Sequence, residues 1–346
     1  MARNTVNLLD CTIRDGSYVT HYYWDADVLE KVVSTLSKQG IKYIEVGNGM
    51  GMGAYRTMPN SLEDAAYYEH TIPFKRDSLI GSFCIPGTAT FEDLKLFKER
   101  GGDFVRIGTN ATQTENALPF IEKARELGLW VSCNLMKTYA ISKYQWIQYS
   151  DKLVNAGAEC IYFVDSAGGM LPDEVGEYVR AMKNFYNVEV GFHGHNNFLL
   201  ANANSLKAAE CGAKFIDVTL GGLGRGAGNA QLESMVPILQ KVNLLNQDLD
   251  FFALADLANS IVGNYNVKGS TKREINIGSS NFHDSFTSKL EEAANRYNVD
   301  ADQLLVEVCK INIINPSTEL FNTVAERMAD GLTNDFFAIK YHHKYY

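Results

Sequence analysis

One phrase recurs along the first two thirds of the chain: a helix-patterned segment ends in glycine, and a short β-branched or aromatic run follows at once. Lys38-Gln39-Gly40 precedes Ile41-Lys42-Tyr43-Ile44-Glu45-Val46, and Glu99-Arg100-Gly101-Gly102 precedes Phe104-Val105-Arg106-Ile107. The same punctuation stands at Gly128, Gly157 and Gly212, ahead of runs at 130–133, 160–164 and 215–218. Glycine closes a helix there because it enters the left-handed conformation without a Cβ clash. The runs at 7–11, 79–84 and 188–192 bring the tally to eight strands, each followed by a helical pattern, as a (β/α)₈ barrel requires. A doubly wound open sheet is the competitor, but no G-x-G-x-x-G follows the first strand and the count of eight favours closure.

After about residue 245 the phrase stops and helical segments dominate, at 251–262, 284–298, 301–310 and 318–329. Asp300 is placed to cap the third of these, and Asn315-Pro316-Ser317 breaks the chain before the fourth. The expected architecture is α/β: a TIM-barrel catalytic domain over residues 1–245, then a smaller all-helical C-terminal domain over 246–346. The tail, with adjacent His342 and His343, reads as an ordinary terminus.

With 346 residues, 46% of them hydrophobic, the chain has ample material for a large core. A net charge of -9 and the lack of any Lys/Arg cluster argue against nucleic acid or an anionic membrane as partner. No apolar run is long enough to span a bilayer, and the N-terminus enters a strand-like run with no secretory leader. Cys11, Cys84, Cys133, Cys160, Cys211 and Cys309 are scattered without C-x-x-C pairing, which fits free thiols in a reducing cytoplasm.

In a barrel, the residues just past each strand gather on one face. Here they include Arg14 and Asp15, Glu45 and Asn48, Arg106, Asn134, Asp165 and Ser166, then His193, His195, Thr219 and the segment 221–229. His193 and His195 are two apart at a strand end, so both imidazoles face one point, which suggests a divalent metal. A pair of hydrogen-bonded loop histidines is the alternative on that motif alone. The first and seventh strands are separated only by the eighth, so Asp15 can meet both histidines across the mouth. Two imidazoles and a carboxylate leave open positions, as in a catalytic site; Mn²⁺ or Mg²⁺ suits them, with Co²⁺, Zn²⁺ and iron also compatible. Arg14 is either the salt-bridge partner of Asp15 or a stabiliser of negative charge on a substrate oxygen. Ser166, Asn48 and Arg106 are candidate substrate contacts, each also explicable as a helix cap or a loop bond.

The residues also carry a family resemblance. Asp10-Cys11-Thr12-Ile13-Arg14-Asp15-Gly16, His193-Gly194-His195-Asn196-Asn197, and 224–229 followed by Ala230-Gln231-Leu232-Glu233 resemble the signature blocks of the metal-dependent aldolase and Claisen-lyase barrels. Within that HMG-CoA lyase-like family they are most similar to the 4-hydroxy-2-oxovalerate aldolases. Ile44-Glu45-Val46-Gly47-Asn48-Gly49, Val164-Asp165-Ser166-Ala167-Gly168-Gly169 and the C-terminal helices look alike too, so the likeness spans nearly the whole chain. It implies that Asp15, His193 and His195 hold the metal, with Asn229 as a further ligand. It also implies an aldolase that cleaves a 4-hydroxy-2-oxo acid to pyruvate and an aldehyde. On the reaction so implied, the ion would supply Lewis-acid polarisation of the 2-oxo carbonyl, a base would take the 4-hydroxyl proton as the C3–C4 bond breaks, and Arg14 would help hold the pyruvate enolate.

The pattern departs where the proton moves: Tyr18 stands in the place of the aldolases' histidine, and His21 lies three residues on. Either of these, or a water, is the candidate base. Arg225 replaces a small residue and either reaches an anionic substrate group or bonds loop carbonyls. An acyl-CoA Claisen enzyme of the same family, 2-isopropylmalate synthase-like or HMG-CoA lyase-like, would share the metal site, but the lyases place a cysteine after strand eight and 221–229 holds none. A Schiff-base aldolase needs a barrel lysine, and Lys137 is the nearest. The reading from another class is a non-catalytic scaffold or partner subunit. The resemblance further implies an acylating aldehyde dehydrogenase partner on the C-terminal helices, a surface that a homodimer contact would equally use.

Overall fold

The computed structural model describes residues 5–331 apart from 59, 246, 264 and 266–268, so the expected terminus with His342 and His343 lies outside the described residues. Eight strands, β1 (Asn7–Asp10), β2 (Tyr43–Val46), β3 (Leu79–Cys84), β4 (Phe104–Asn110), β5 (Trp130–Met136), β6 (Cys160–Asp165), β7 (Glu189–Gly194) and β8 (Phe215–Val218), pair in parallel in chain order and close on themselves. The barrel expected from the repeating phrase is the one found. The glycines that punctuate it, Gly40, Gly101, Gly128, Gly157 and Gly212, have φ between 72° and 112°, as a left-handed helix stop requires.

Alternation along each strand separates two populations. Ile44, Ile80, Val105, Val131, Ile161 and Ile216 belong to the core shared with the surrounding helices. The residues between them point inward. At the N-terminal end these are aromatic: Tyr43 meets Phe215 at 5.1 Å and Phe104 at 5.9 Å, and Trp130 meets Phe215 at 5.3 Å. Two residues further along the same strands, the inward positions become Glu45, Arg106 and Asp217, all fully or nearly fully buried. The barrel thus has an apolar plug with a charged layer above it, and the layering follows from the period of two.

At the end of β1, the Asp10 carboxylate accepts the Thr12 N–H at 3.0 Å and the Thr12 hydroxyl at 2.8 Å. The same hydroxyl accepts the Leu220 N–H at 2.8 Å. This clip ties the residues after β1 to the loop after β8, the two segments that must meet if the site is to form.

The C-terminal region is helical, as expected. Phe251–Val262 packs against the barrel helices Leu232–Lys241 and Ala26–Lys38, while Lys272–Ser280, Thr287–Tyr297, Ala301–Ile311 and Thr318–Ala329 pack on one another. Asp300 caps its helix by accepting the Gln303 N–H at 2.9 Å, and Ser317 accepts the Leu320 N–H at 3.1 Å. The helix Lys272–Ser280 escapes a periodicity reading because Ile275 and Ile277 alternate like a strand. Its signal is the capping box, in which the Thr271 N–H donates to Glu274 at 3.0 Å. It packs backbone to backbone on the loop after β6: a Cβ on Gly169 would lie 2.1 Å from the Gly278 carbonyl oxygen. All six cysteines are free thiols, and no helix among the described residues is long and apolar enough to cross a membrane.

Two predictions follow from this packing. Gly191 lies two residues before His193, and a Cβ there would sit 2.4 Å from the ring of Tyr162, itself held at 4.3 Å under the Arg106 guanidinium. Gly191→Ala is expected to cost about 1–3 kcal/mol in urea unfolding, the usual penalty of overpacking; a cost within experimental error would show that the ring yields. Burial pushes the Asp10 carboxyl up to about 7, against the lowering pull of its bonds from Thr12. The folded chain therefore keeps this proton longer than the unfolded one, and wild-type stability relative to Asp10→Asn should fall as pH rises from about 4 to about 7. Parallel stability curves over that window would refute the assignment.

Candidate metal centre

The chain leaves β1 through one turn of helix, Thr12–Gly16, which presents Arg14 and Asp15 at the barrel mouth. β7 delivers His193, and His195 follows just past its end, with ring centroids 5.0 Å apart at 86°. Asp15, His193 and His195 each offer a donor atom within 4.8 Å of the others, and all three are buried. The expected convergence of opening and penultimate strands is present in the structure.

Their protonation suits metal binding. Burial pushes the Asp15 carboxyl up, but Arg14, His195, His193 and the Asn229 amide overcome it and hold the group well below the usual carboxylate range. Burial, then the charge of Arg225, keeps His195 far below an ordinary histidine and so neutral. His193 Nδ1 lies 2.8 Å from Asp217, whose carboxyl is held down, against burial, by Arg106 and His193. An ionised carboxylate only accepts, so Nδ1 donates and Nε2 is the ring nitrogen left to face an ion.

Asn229 comes from the loop after β8, where its backbone bridges to that of His195, and its amide nitrogen donates to Asp15. Its Oδ1 and the Nδ1 of His195 are buried with no partner, so acceptor atoms are left over where a cation would sit. Gly224 makes this approach possible: a Cβ there would be 2.4 Å from the Asn229 amide nitrogen and 2.8 Å from Asp15 Oδ2. Cys11, His193 and Asp217 also cluster closely enough to hold an ion. That group suits one less well, since burial pushes the Cys11 thiol up and the His193–Asp217 contact is already a hydrogen bond.

Beneath the triad runs a chain of buried ion pairs. Arg14 bonds Asp15 at 2.5 Å and Glu45 at 2.8 Å; Arg106 bonds the same Glu45 oxygen at 2.8 Å and Asp217 at 2.5 Å; Asp217 then holds His193. Three carboxylates face two guanidiniums, leaving one net negative charge. Arg106 is 0% exposed with two nitrogens committed, so the structure places it in the floor of the site.

The other expected contacts divide. Asn48 is engaged at both ends, donating to Ser61 Oγ at 2.7 Å and accepting the Met50 N–H at 2.8 Å, and so shapes the loop after β2. Ser166 accepts the Lys137 N–H on its hydroxyl at 3.0 Å and an Arg225 nitrogen on its carbonyl at 2.9 Å. Arg225 both bonds that loop carbonyl and pairs with Asp284 at 3.1 Å. Tyr18 donates to the Gly49 carbonyl at 3.0 Å within the field of Arg225, Asp15 and Arg14. His21 is exposed on a left-handed turn, φ 55°, and is not part of the buried cluster.

Sequence reasoning did not single out Asp217 or His283. Asp217 carried a signal, since it sits two residues after Phe215 on an alternating strand. His283, influenced by Arg225, Lys137 and His195, arrives from beyond the barrel, where no local pattern points to the site.

Comparison with known proteins agrees with this geometry. The HMGL-like family profile matches residues 5–261. A 4-hydroxy-2-oxovalerate aldolase of Bacillus thuringiensis is 32% identical over 336 residues, covering 95% of this chain and 98% of the relative. An oxaloacetate decarboxylase of Mycobacterium tuberculosis is 38% identical over 245 residues, 70% of this chain and 73% of the relative. Among solved structures, the N-terminal domain of a candidate aldolase from Bacteroides vulgatus matches with TM-score 0.69 at 25% identity, covering 85% of this chain and 98% of that one. The carboxyl transferase domain of Rhizobium etli pyruvate carboxylase, solved with pyruvate, matches with TM-score 0.78 at 15% identity, covering 96% of this chain and 61% of that one, a likeness of fold alone. The matched span takes in the whole barrel, the donor triad and the loop after β8, and on that ground the chain belongs to the HMGL-like family.

Proposed function

We propose that the chain is a divalent-metal-dependent carbon–carbon lyase that cleaves a 4-hydroxy-2-oxo acid to pyruvate and an aldehyde. The observation that carries this reading is the buried donor triad within 4.8 Å, which together with the ion pairs beneath it carries one unbalanced negative charge, that of Asp15. The aldolase names of relatives matching almost the whole chain support it. Asp15, His193 and His195 would hold the ion, with Asn229 Oδ1 beside them; the two imidazoles favour Mn²⁺ over Mg²⁺, and oxygen-rich completion favours it over Co²⁺ or Zn²⁺. A bound ion supplies Lewis-acid polarisation of the 2-oxo carbonyl.

The chain's own residues do the rest. Arg14, fixed by Asp15 and Glu45, offers positive charge beside the triad with no reorganisation, where negative charge builds on the 2-oxo oxygen as the C3–C4 pair becomes the C2–C3 double bond and the carbonyl pair moves onto oxygen. Burial pushes the Tyr18 phenol up, so it keeps its proton; turned away from the Gly49 carbonyl, that O–H would serve as a hydrogen-bond donor to the 4-hydroxyl. His21 stands on an exposed turn, which leaves water to carry the 4-hydroxyl proton away. Arg106 and Asp217 are positioning residues that set the His193 tautomer, while Ser166 and Asn48 shape the substrate loops.

We assign residues 1–245 as the catalytic unit, working in the cytoplasm where the six thiols stay reduced, and 246–346 as the unit that follows. A dehydrogenase that takes up the aldehyde, or a second copy of the chain, is the partner we propose for that region. A second reading rests on the decarboxylase relative: loss of CO₂ from a 2-oxo dicarboxylate breaks the same bond and leaves the same enolate. The loop after β8 has no cysteine, which weighs against an acyl-CoA lyase.

The test is pyruvate release, coupled to lactate dehydrogenase, over a panel of 4-hydroxy-2-oxo acids and oxaloacetate, with EDTA and with added Mn²⁺. Release from at least one hydroxy acid should vanish with EDTA and return with Mn²⁺, and Asp15→Asn should lower it at least about 100-fold, at or beyond the upper end of a change outside the ligand shell. Turnover indifferent to chelation would defeat the mechanism, and release from oxaloacetate alone would favour the second reading. Separately, Asp217→Asn should weaken Mn²⁺ binding, followed by calorimetry, by roughly 10- to 100-fold with the fold retained by circular dichroism. Unchanged affinity would remove Asp217 from the site.

A further inference from the structure

Lys137 stands at the barrel mouth, and the chemistry proposed above has no use for it. It follows β5 in the left-handed region, φ 58° and ψ 40°, and is only 5% exposed. Its Nζ lies 4.3 Å from the centre of the Phe286 ring and 3.4 Å from the Ile314 carbonyl oxygen, and among the described residues no carboxylate pairs with it. Taking an ammonium out of water without a counter-charge is costly, by several kcal/mol even after relaxation. Consistent with that, burial first, then Arg225 and Lys289, bring this amine down to about 8.

Its surroundings add positive charge. Arg225 approaches from the other side of Ser166, and Asp284 is its only carboxylate partner among the described residues. Lys289 reaches the same Phe286 ring at 5.4 Å, with its own Nζ on the Pro316 carbonyl. His283 accepts the Ser285 N–H at 3.2 Å and lies 2.8 Å from the Ser285 hydroxyl, both through Nδ1. Burial, then Arg225 and Lys137, keep it neutral, so its proton is on Nε2 and it is one more donor. Three cations and an N–H donor thus gather where, among the described residues, Asp284 is the one carboxylate that pairs with any of them. Arg225 is also the leading charge acting on His195, which puts this cluster next to the donor triad.

We propose that Lys137, Arg225 and His283 form an anion subsite, and that the substrate carries a second acidic group, a carboxylate or a phosphate, on the half that leaves as the aldehyde. This rests on the aldolase reading. The 2-oxo acid's own carboxylate would be provided for by an ion held on the triad, with Arg14 beside it. A carboxylate about to depart as CO₂ is a poor occupant, because cations that hold it stabilise the ground state and slow its loss. A group retained in the leaving aldehyde has no such conflict, and its charge completes the buried cluster.

The experiment runs the reaction in the condensation direction, with Mn²⁺ and pyruvate, against butanal, succinic semialdehyde, glyceraldehyde and glyceraldehyde 3-phosphate. An acidic aldehyde should exceed its neutral counterpart in kcat/KM by roughly 10- to 100-fold, the range of a hydrogen bond to a charged group. Which pair shows the effect separates carboxylate from phosphate. The ratio should fall to about one in Lys137→Met and in Arg225→Gln. Equal rates for acidic and neutral aldehydes in the wild type, or a ratio that survives both substitutions, overturns the subsite. The EDTA-treated protein gives a second readout: glutarate or inorganic phosphate should raise its Tm, and not that of Lys137→Met. Condensation with no aldehyde while the Tm shift persists sinks the aldolase reading and leaves the anion site standing; condensation without any Tm shift or acidic preference does the reverse.

Discussion

The contact on which the rest of this structure depends is the Arg106 guanidinium buried between Glu45 and Asp217. Through Glu45 it reaches Arg14 and so Asp15; through Asp217 it reaches His193. The two ends of the donor triad are therefore joined beneath the site by alternating charges, and neither can rotate without breaking a buried pair. Burying so many charges is expensive, and an apolar floor would be at least as stable. What the arrangement provides is fixed orientation and an odd charge count, which makes the space above it a better place for a cation than for anything neutral.

The barrel makes that arrangement affordable. Tyr43, Phe104, Trp130, Tyr162 and Phe215 fill the end below the charged layer and keep water from entering from that side. Tyr162 also lies under Arg106 at 4.3 Å, so the guanidinium has an aromatic face where it lacks a carboxylate. Because the charged layer repeats the aromatic one two residues later, a one-residue slip of any strand would move its charge outward into the helical shell. Register and chemistry are thus specified together.

Residues beyond the barrel complete the mouth. Gly169 and Gly278 allow the helix Lys272–Ser280 to sit directly on the loop after β6, and the segment that follows brings His283, Asp284 and Phe286 against Arg225 and Lys137. The donor triad is built by the barrel alone, whereas the side of the pocket away from Arg14 is shared with the C-terminal helices.

Much of this was legible in the chain itself. Period-two runs, left-handed glycine stops and the count of eight define the barrel, because each is a local consequence of backbone geometry. The convergence of Asp15 with His193 and His195 followed from strand order, since closure makes the first and seventh strands near neighbours. The role of Arg106 was not legible: it reads as one more polar residue on a strand, and only the structure sets it against Asp217, 111 residues away. The same holds for His21, a candidate base by its place in the chain whose turn carries it to solvent, and for His283, which no barrel periodicity predicts. Local pattern decides which way a side chain faces, but which charges share a buried volume depends on segments distant in sequence, and that was settled only when the sheet closed and the helices packed over it.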